Sequence, residues 1–189
     1  FLCSMSTDEL IKGCLQGKGS HFTELYEKYS SGLYYICMRY SGDSDEAKDL
    51  LQEGFVRIFQ KLNTYESTRG SFEGWMKRIF INLCIDHYRK QKNNISSLPI
   101  EEVADEIADS DGEPMGVINN LSYEELIQAI SELPLGYRTV FNMYVIDEKG
   151  HKEIASELNI SESTSKTQLF KARNLLQKNL MMKTLIRVK

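Results

Sequence analysis

The sequence predicts an all-α protein of two small helical domains joined by an acidic linker. Three observations carry that reading: apolar residues recur at helical spacing in both halves, strand-like alternation is absent, and charge divides sharply along the chain. Residues 1–93 hold 13 basic and 12 acidic side chains, 94–137 hold 10 acidic and none basic, and 138–189 hold 10 basic and 5 acidic. The formal net charge of −4 therefore conceals neutral-to-basic ends around an acidic middle. The expected division is an N-terminal helical domain over 1–93, a linker over 94–120 and a C-terminal helical domain over 121–189.

The N-terminal domain reads as four helices. Asp8 can cap the first, which runs through Leu10, Ile11, Cys14 and Leu15. Ser20 can cap the second, with Phe22, Leu25, Tyr26, Tyr29, Leu33 and Ile36 on its buried side. Asp43 to Asp45 offer a cap for the third, whose stripe is Ala47, Leu50, Leu51, Phe55, Ile58, Phe59 and Leu62. Ser71 can cap a last long helix through Phe72, Trp75, Met76, Ile79, Leu83 and Asp86. The linker contains Pro99 and Pro114 and seven carboxylates between Glu101 and Glu113, and it has no aromatic residue. That composition disfavours a packed core, so mobility is expected, with at most a short helix over Glu101–Ala108.

The C-terminal domain begins near Leu121, and its first helix ends before Pro134, which suits the start of a second helix over Leu135 to Ile146. Two further helical patterns follow, joined by a tight turn. Ile154, Ala155 and Leu158 give the first an apolar face, and Leu169, Ala172 and Leu176 give the second one. Asn159 tolerates the turn, Ile160 plugs the angle, and Ser161 is a good N-cap. This is the form of a helix-turn-helix, whose second helix lies in a DNA major groove. With Ser165, Leu169, Ala172 and Leu176 facing the core, the opposite face carries Ser163, Thr167, Phe170, Lys171 and Asn174, flanked by Lys166. Small polar, basic and aromatic side chains suit base edges, phosphates and thymine methyls. A solvated hairpin would also be basic outside, but it would have little use for Phe170 there.

The N-terminal helices also carry polar faces. On the third, Asp49, Gln52, Glu53 and Arg57 lie away from the apolar stripe. On the fourth, Lys77, Arg78, Ile81, Tyr88, Arg89 and Lys92 stand opposite Phe72, Trp75 and Ile79. Basic residues beside an aromatic are a footprint for nucleic acid. The loop from Leu62 to Ser71 has the aromatic, amide, hydroxyl and arginine groups that can hold an unstacked base.

Other classes of function find little support. Cys3, Cys14, Cys37 and Cys84 are widely spaced and His21, His87 and His151 are scattered, so no metal site, disulfide framework or catalytic nucleophile motif is expected. There is no glycine-rich phosphate loop, and no cofactor is expected. No apolar run approaches a membrane span, and Phe1 to Cys3 are too short for a signal peptide. Met5 is a candidate start residue. The expected setting is cytoplasmic, with reduced thiols.

Together the two halves resemble bacterial RNA polymerase sigma factors of the small extracytoplasmic-function (ECF) class. The likeness covers about residues 8–93 and 121–180. Asp49-Leu-Leu-Gln52-Glu53-Gly-Phe55 resembles the family's polymerase-binding helix, and Phe72 to Arg89 resembles its minus-ten reader. Leu133-Pro134, Tyr137-Arg138-Thr-Val140-Phe141, Lys152-Glu153-Ile154-Ala155 and Thr164 to Arg173 resemble its minus-thirty-five reader. The wording Thr164-Ser165-Lys166-Thr167-Gln168-Leu169 is most similar to members from Bacteroidota. Most of the family carries Val where Ser165 stands; the change lies on the core side and is expected to loosen packing there.

The resemblance implies a non-enzymatic subunit that binds core RNA polymerase and directs promoter recognition. Asp49, Gln52, Glu53 and Phe55 would dock on the coiled-coil clamp of the largest polymerase subunit. Asn63, Tyr65, Ser71, Trp75, Arg78, Asn82 and Arg89 would hold the melted minus-ten strand. Arg138, Lys152, Ser163, Lys166, Thr167, Phe170, Lys171 and Arg173 would contact the minus-thirty-five duplex. In the family the linker passes near the polymerase active-site cleft, and many members are held by a membrane-bound anti-sigma factor. The competing reading is a conventional helix-turn-helix transcription regulator with an N-terminal sensor. The N-terminal domain separates the two, since it shows a docking helix and a basic, Trp-bearing helix where a sensor needs a ligand cavity or phosphoacceptor.

Overall fold

The computed structural model describes residues 5–95 and 122–187, and every regular element in those stretches is helical. The elements are α1 (Thr7–Leu15), α2 (Gly19–Ser41), α3 (Ser44–Lys61), α4 (Phe72–Ile95), α5 (Tyr123–Ser131), α6 (Leu135–Phe141), α7 (His151–Leu158) and α8 (Glu162–Arg187). Two 3-10 turns, Leu62–Thr64 and Ser67–Arg69, lie between α3 and α4, and a π-helical turn, Asn142–Ile146, extends α6. The acidic linker and its expected helix over Glu101–Ala108 fall outside the described residues.

The chain divides into two compact units, one of Phe1–Met38 with Asp43–Cys84, the other of Arg39–Gly42 with Ile85–Lys189. The division falls inside α4, after Cys84, whereas the charge break lies at the end of that helix.

In the first unit, α1 is capped by Ser6, not Asp8: Ser6 Oγ accepts from Glu9 N–H and the Glu9 carboxylate accepts from Ser6 N–H. Asp43 caps α3 by accepting from the N–H groups of Asp45 and Glu46 at 2.9 Å each. Ser71 accepts from Gly74 N–H at the start of α4. The core gathers Leu10, Leu25, Phe55, Ile58, Met76 and Phe80. Gly54 has a packing reason, because a Cβ there would lie 2.3 Å from the Phe80 ring. Leu15 and Tyr26, expected inside, are 55% and 40% exposed. Leu15 is the last residue of α1, and Tyr26 lays its ring on Phe55 from the outside, centroids 4.6 Å apart. The buried stripe of α4 is also rotated from expectation. It centres on Phe72, Met76, Phe80 and Leu83, leaving Trp75 and Ile79 half-buried.

In the second unit, Ser122 and Glu125 form a capping box at α5, and Pro134 precedes α6 as expected. The core is Ile127, Ile130, Leu133, Val140, Met143, Ile154, Leu158, Leu169, Leu176 and Leu180. The turn between α7 and α8 is as the sequence suggests. Asn159 adopts the left-handed region at φ 51, ψ 56, and Ser161 Oγ accepts from Thr164 N–H at 3.0 Å. The inward stripe of α8 is Ser165, Leu169, Ala172 and Leu176, all buried.

Candidate nucleic-acid interface

The helix-turn-helix presents one coherent surface. Lys152 on α7 and Ser163, Lys166, Arg173 and Asn174 on α8 are exposed, and Thr167, Phe170 and Lys171 are half-buried. The core stripe of α8 fixes this, since residues that bury Leu169 and Leu176 must turn Lys166, Thr167 and Phe170 outward at helical spacing. Thr167 donates its hydroxyl to Ser163 O at 2.9 Å, leaving its methyl outward-capable and its oxygen still able to accept. Arg173 lies over the Tyr144 ring, 5.8 Å from the centroid, which fixes where its guanidinium stands.

Arg138 is placed differently from the rest. It is 7% exposed, and its guanidinium donates to Tyr40 O, Ser131 O, Leu133 O and Ser41 O, all within the second unit. Ser131 ends α5 and Leu133 lies just past its C-cap, where carbonyls lack helical partners, so a planar five-donor group closes that end. The expected duplex contact from Arg138 is corrected accordingly: its donors serve the backbone. In the same unit Arg39 and Asp147 form a buried ion pair at 2.7 Å. Neither this pair nor the Arg138 cluster was foreseen, because carbonyl positions belong to tertiary structure.

The second surface is built around the loop after α3. Tyr65 donates its hydroxyl to Gly70 O at 3.1 Å, which closes the loop. Its ring packs against Phe72 and Trp75 at 5.1 and 5.6 Å, and Phe72 and Trp75 stack at 20°. Asn63, Ser71, Arg78 and Asn82 are exposed on the same loop and helix. Arg89 is exposed farther along α4, with its guanidinium on Asp86 and Glu157 O. Tyr88, expected on the outward face, is buried at 5% exposure, and burial pushes its hydroxyl pKa up.

The third surface is the outer side of α3, where Asp49, Gln52 and Glu53 are exposed and Glu53 pairs with Arg57 at 2.6 Å. Phe55 is not part of it. At 3% exposure it is buried among Tyr26, Phe59 and Phe80. An aromatic of that size beside Leu51 and Ile58 follows the buried stripe, and this corrects the expected docking contact to one of support.

Comparison with known proteins places the chain in a family. Residues 25–94 match the family model for sigma-70 region 2, and residues 123–176 match that for sigma-70 region 4. The ECF RNA polymerase sigma factor SigW of Bacillus subtilis is 31% identical over 93% of this chain and 97% of its own length. The chain belongs to the ECF RNA polymerase sigma factors. Its relatives also include SigM of Bacillus subtilis, 28% identical over 82% of this chain and 91% of that protein. A solved structure similar to this sigma factor is that of the sigma factor RpoE in complex with the anti-sigma factor NepR from Bartonella quintana. It covers 85% of this chain and 96% of that one, at 20% identity and a TM-score of 0.46. As a sigma factor the protein binds core RNA polymerase and directs transcription initiation at promoters; a conventional regulator with a sensor domain is not favoured. No helix among the described residues is long and apolar enough to cross a membrane.

Proposed function

We propose that this sigma factor divides promoter recognition between two surfaces of different chemistry and docks by a third. The α8 face would meet the minus-thirty-five duplex through Ser163, Lys166, Thr167, Phe170, Lys171 and Arg173, joined by Lys152. The loop and α4 would hold the melted minus-ten strand through Asn63, Tyr65, Ser71, Trp75, Arg78, Asn82 and Arg89. Asp49, Gln52 and Glu53 would dock on core polymerase, with Phe55 behind them. The observation that carries this reading is the outward face of α8, set opposite the buried Ser165, Leu169, Ala172 and Leu176. In this reading the chain is a non-enzymatic subunit that works in the cytoplasm, where polymerase meets DNA, and an anti-sigma factor is a further partner class. The test is transcription with purified core polymerase on genomic DNA of the source organism. Discrete start sites that need this chain support the assignment, and identical transcripts with core polymerase alone overturn it.

A further inference from the structure

Ser165 is an unusual residue for its place. It is fully buried in the first turn of α8, in a stripe otherwise made of Leu169, Ala172 and Leu176. A buried hydroxyl without a partner is costly. Its oxygen lies 2.9 Å from Nδ1 of His151, the first residue of α7. This bond joins the first turns of the two helices of the helix-turn-helix. The His151 ring stacks on Tyr144 of the π-helical turn, centroids 4.5 Å apart and planes at 24°. Arg173, two turns farther along α8, lies over that same Tyr144 ring. One aromatic ring therefore contacts a residue from each helix, and the hydrogen bond closes the triangle. Far from loosening the site, serine replaces non-directional apolar contact with a bond that tolerates little change of angle.

We propose that His151 is a positioning residue for minus-thirty-five recognition: through Ser165 and Tyr144 it fixes α8 against α7 and so sets where Lys166, Thr167 and Arg173 meet the duplex. The inference rests on the duplex-reading role proposed for α8. Lys166 and Thr167 follow Ser165 directly, and Arg173 belongs to the brace itself, so a slip at Ser165 moves the reading residues. Hydrogen bonds to base edges are lost by small misplacements, whereas phosphate attraction is not.

The charges around the ring give a second handle. Burial, then Lys166, then Arg173 lower the His151 pKa below its ordinary 6.5, and Glu162 opposes them; Tyr144 faces the ring without charge. The folded surroundings therefore favour the neutral ring. Because the folded value lies below the ordinary one, the unfolded chain takes up the proton first, so the stability that the neutral ring contributes is fully present above 6.5 and is lost as pH falls through the lowered value. Protonation leaves Nδ1 able to donate to the Ser165 hydroxyl but puts a third cation beside Lys166 and Arg173, and that repulsion pushes α7 and α8 apart at the brace.

The test uses holoenzyme reconstituted with core polymerase and a randomised duplex pool. Wild-type holoenzyme selects a preferred duplex, and discrimination is the ratio of its affinity to that of the unselected pool. His151→Ala should cut discrimination about tenfold, the scale of one lost base preference, while affinity for the pool keeps its value and salt slope. His151→Asn places an amide where Nδ1 stood and should restore discrimination. Wild-type discrimination should fall as pH drops below 6.5, and the Asn variant should stay flat. Ser165→Val, which keeps the site apolar and folded, should remove the pH dependence too. Discrimination unchanged in His151→Ala, or an Asn or Val variant that titrates like wild type, overturns the proposal. A wild-type holoenzyme that selects no upstream sequence would instead overturn the duplex-reading role of α8, which separates the two failures.

Discussion

The two regions proposed to face DNA handle their cations differently. Around α4, Arg69 pairs with Glu66 at 2.8 Å, Lys77 with Glu73 at 2.8 Å and Arg89 with Asp86 at 3.1 Å. Arg78 and Lys90 have no such partner there among the described residues. On the helix-turn-helix, Lys152, Lys166, Lys171 and Arg173 have no carboxylate in pairing range among the described residues. The aromatics divide the other way, with Tyr65, Phe72 and Trp75 in mutual contact at α4. Uncompensated cations gain from displacing counterions along a duplex. Compensated cations around a ring cluster gain less from phosphate and more from stacking on unpaired bases. The chemistry of each region thus suits one state of DNA, duplex for α8 and single strand for α4.

The largest expected effect sharpens the list of cations on the duplex side. Arg138→Ala should lower stability by about 3 kcal/mol, because it leaves buried carbonyls without donors. The salt slope of duplex binding by the folded fraction should stay the same, and Arg138→Lys should not restore stability, since an ammonium cannot reach as a planar fork does. Denaturant melts and binding isotherms at several salt concentrations measure both. A lowered slope with unchanged stability would return Arg138 to the DNA face.

Next in size is the aromatic side. Trp75→Ala should reduce strand opening about tenfold or more, the loss of one base–aromatic stack, with little change in duplex binding. Trp75 is half-buried against Phe72, so Trp75→Phe serves as the control that keeps the packing. Permanganate reactivity of unpaired thymines reads the outcome. Weakened duplex binding in both variants would break the proposed division.

A smaller effect is expected at Lys171. Lys171→Ala should lower the salt slope of duplex binding by about 0.9 and weaken all sequences alike, whereas Thr167→Ala should change base preference. Lys77→Ala, which removes a compensated cation, should change the slope less. Equal slopes for the two lysine variants would mean that pairing with Glu73 does not matter.

The smallest change in stability belongs to α3. Glu53→Lys breaks an exposed pair with Arg57 and should alter stability by about 0.5 kcal/mol or less, while core polymerase affinity falls. Native co-purification with core polymerase at equal protein concentration checks it.

What the sequence revealed follows how strongly each helix separates its faces. On α8 a narrow stripe of Leu169, Ala172 and Leu176 leaves a polar remainder, and the wheel locates both sides. On α4 apolar residues occupy several sides, among them Trp75, Ile79, Ile81 and Tyr88, so spacing alone does not choose the Met76–Phe80 line. Caps at Asp43, Ser71 and Ser161 were legible because short polar side chains before an apolar run have a local reason to be there. Phe55 and Arg138 were misplaced for opposite reasons. Phe55 lies within a motif that draws attention outward, and Arg138 carries a charge that ordinarily keeps a residue at the surface. The brace of Tyr144, His151 and Ser165 joins residues distant in sequence, and only Ser165 stood out beforehand, as a hydroxyl in an apolar stripe.

The division between duplex and single-strand surfaces is tested most directly in one holoenzyme preparation, by measuring duplex binding against salt and strand opening for Lys171→Ala, Trp75→Ala and the double variant. The account predicts that Lys171→Ala lowers only the binding slope, that Trp75→Ala lowers only opening, and that the double variant shows both losses independently. The same defect in both folded single variants, or no effect of either on promoter-dependent transcription, would contradict it.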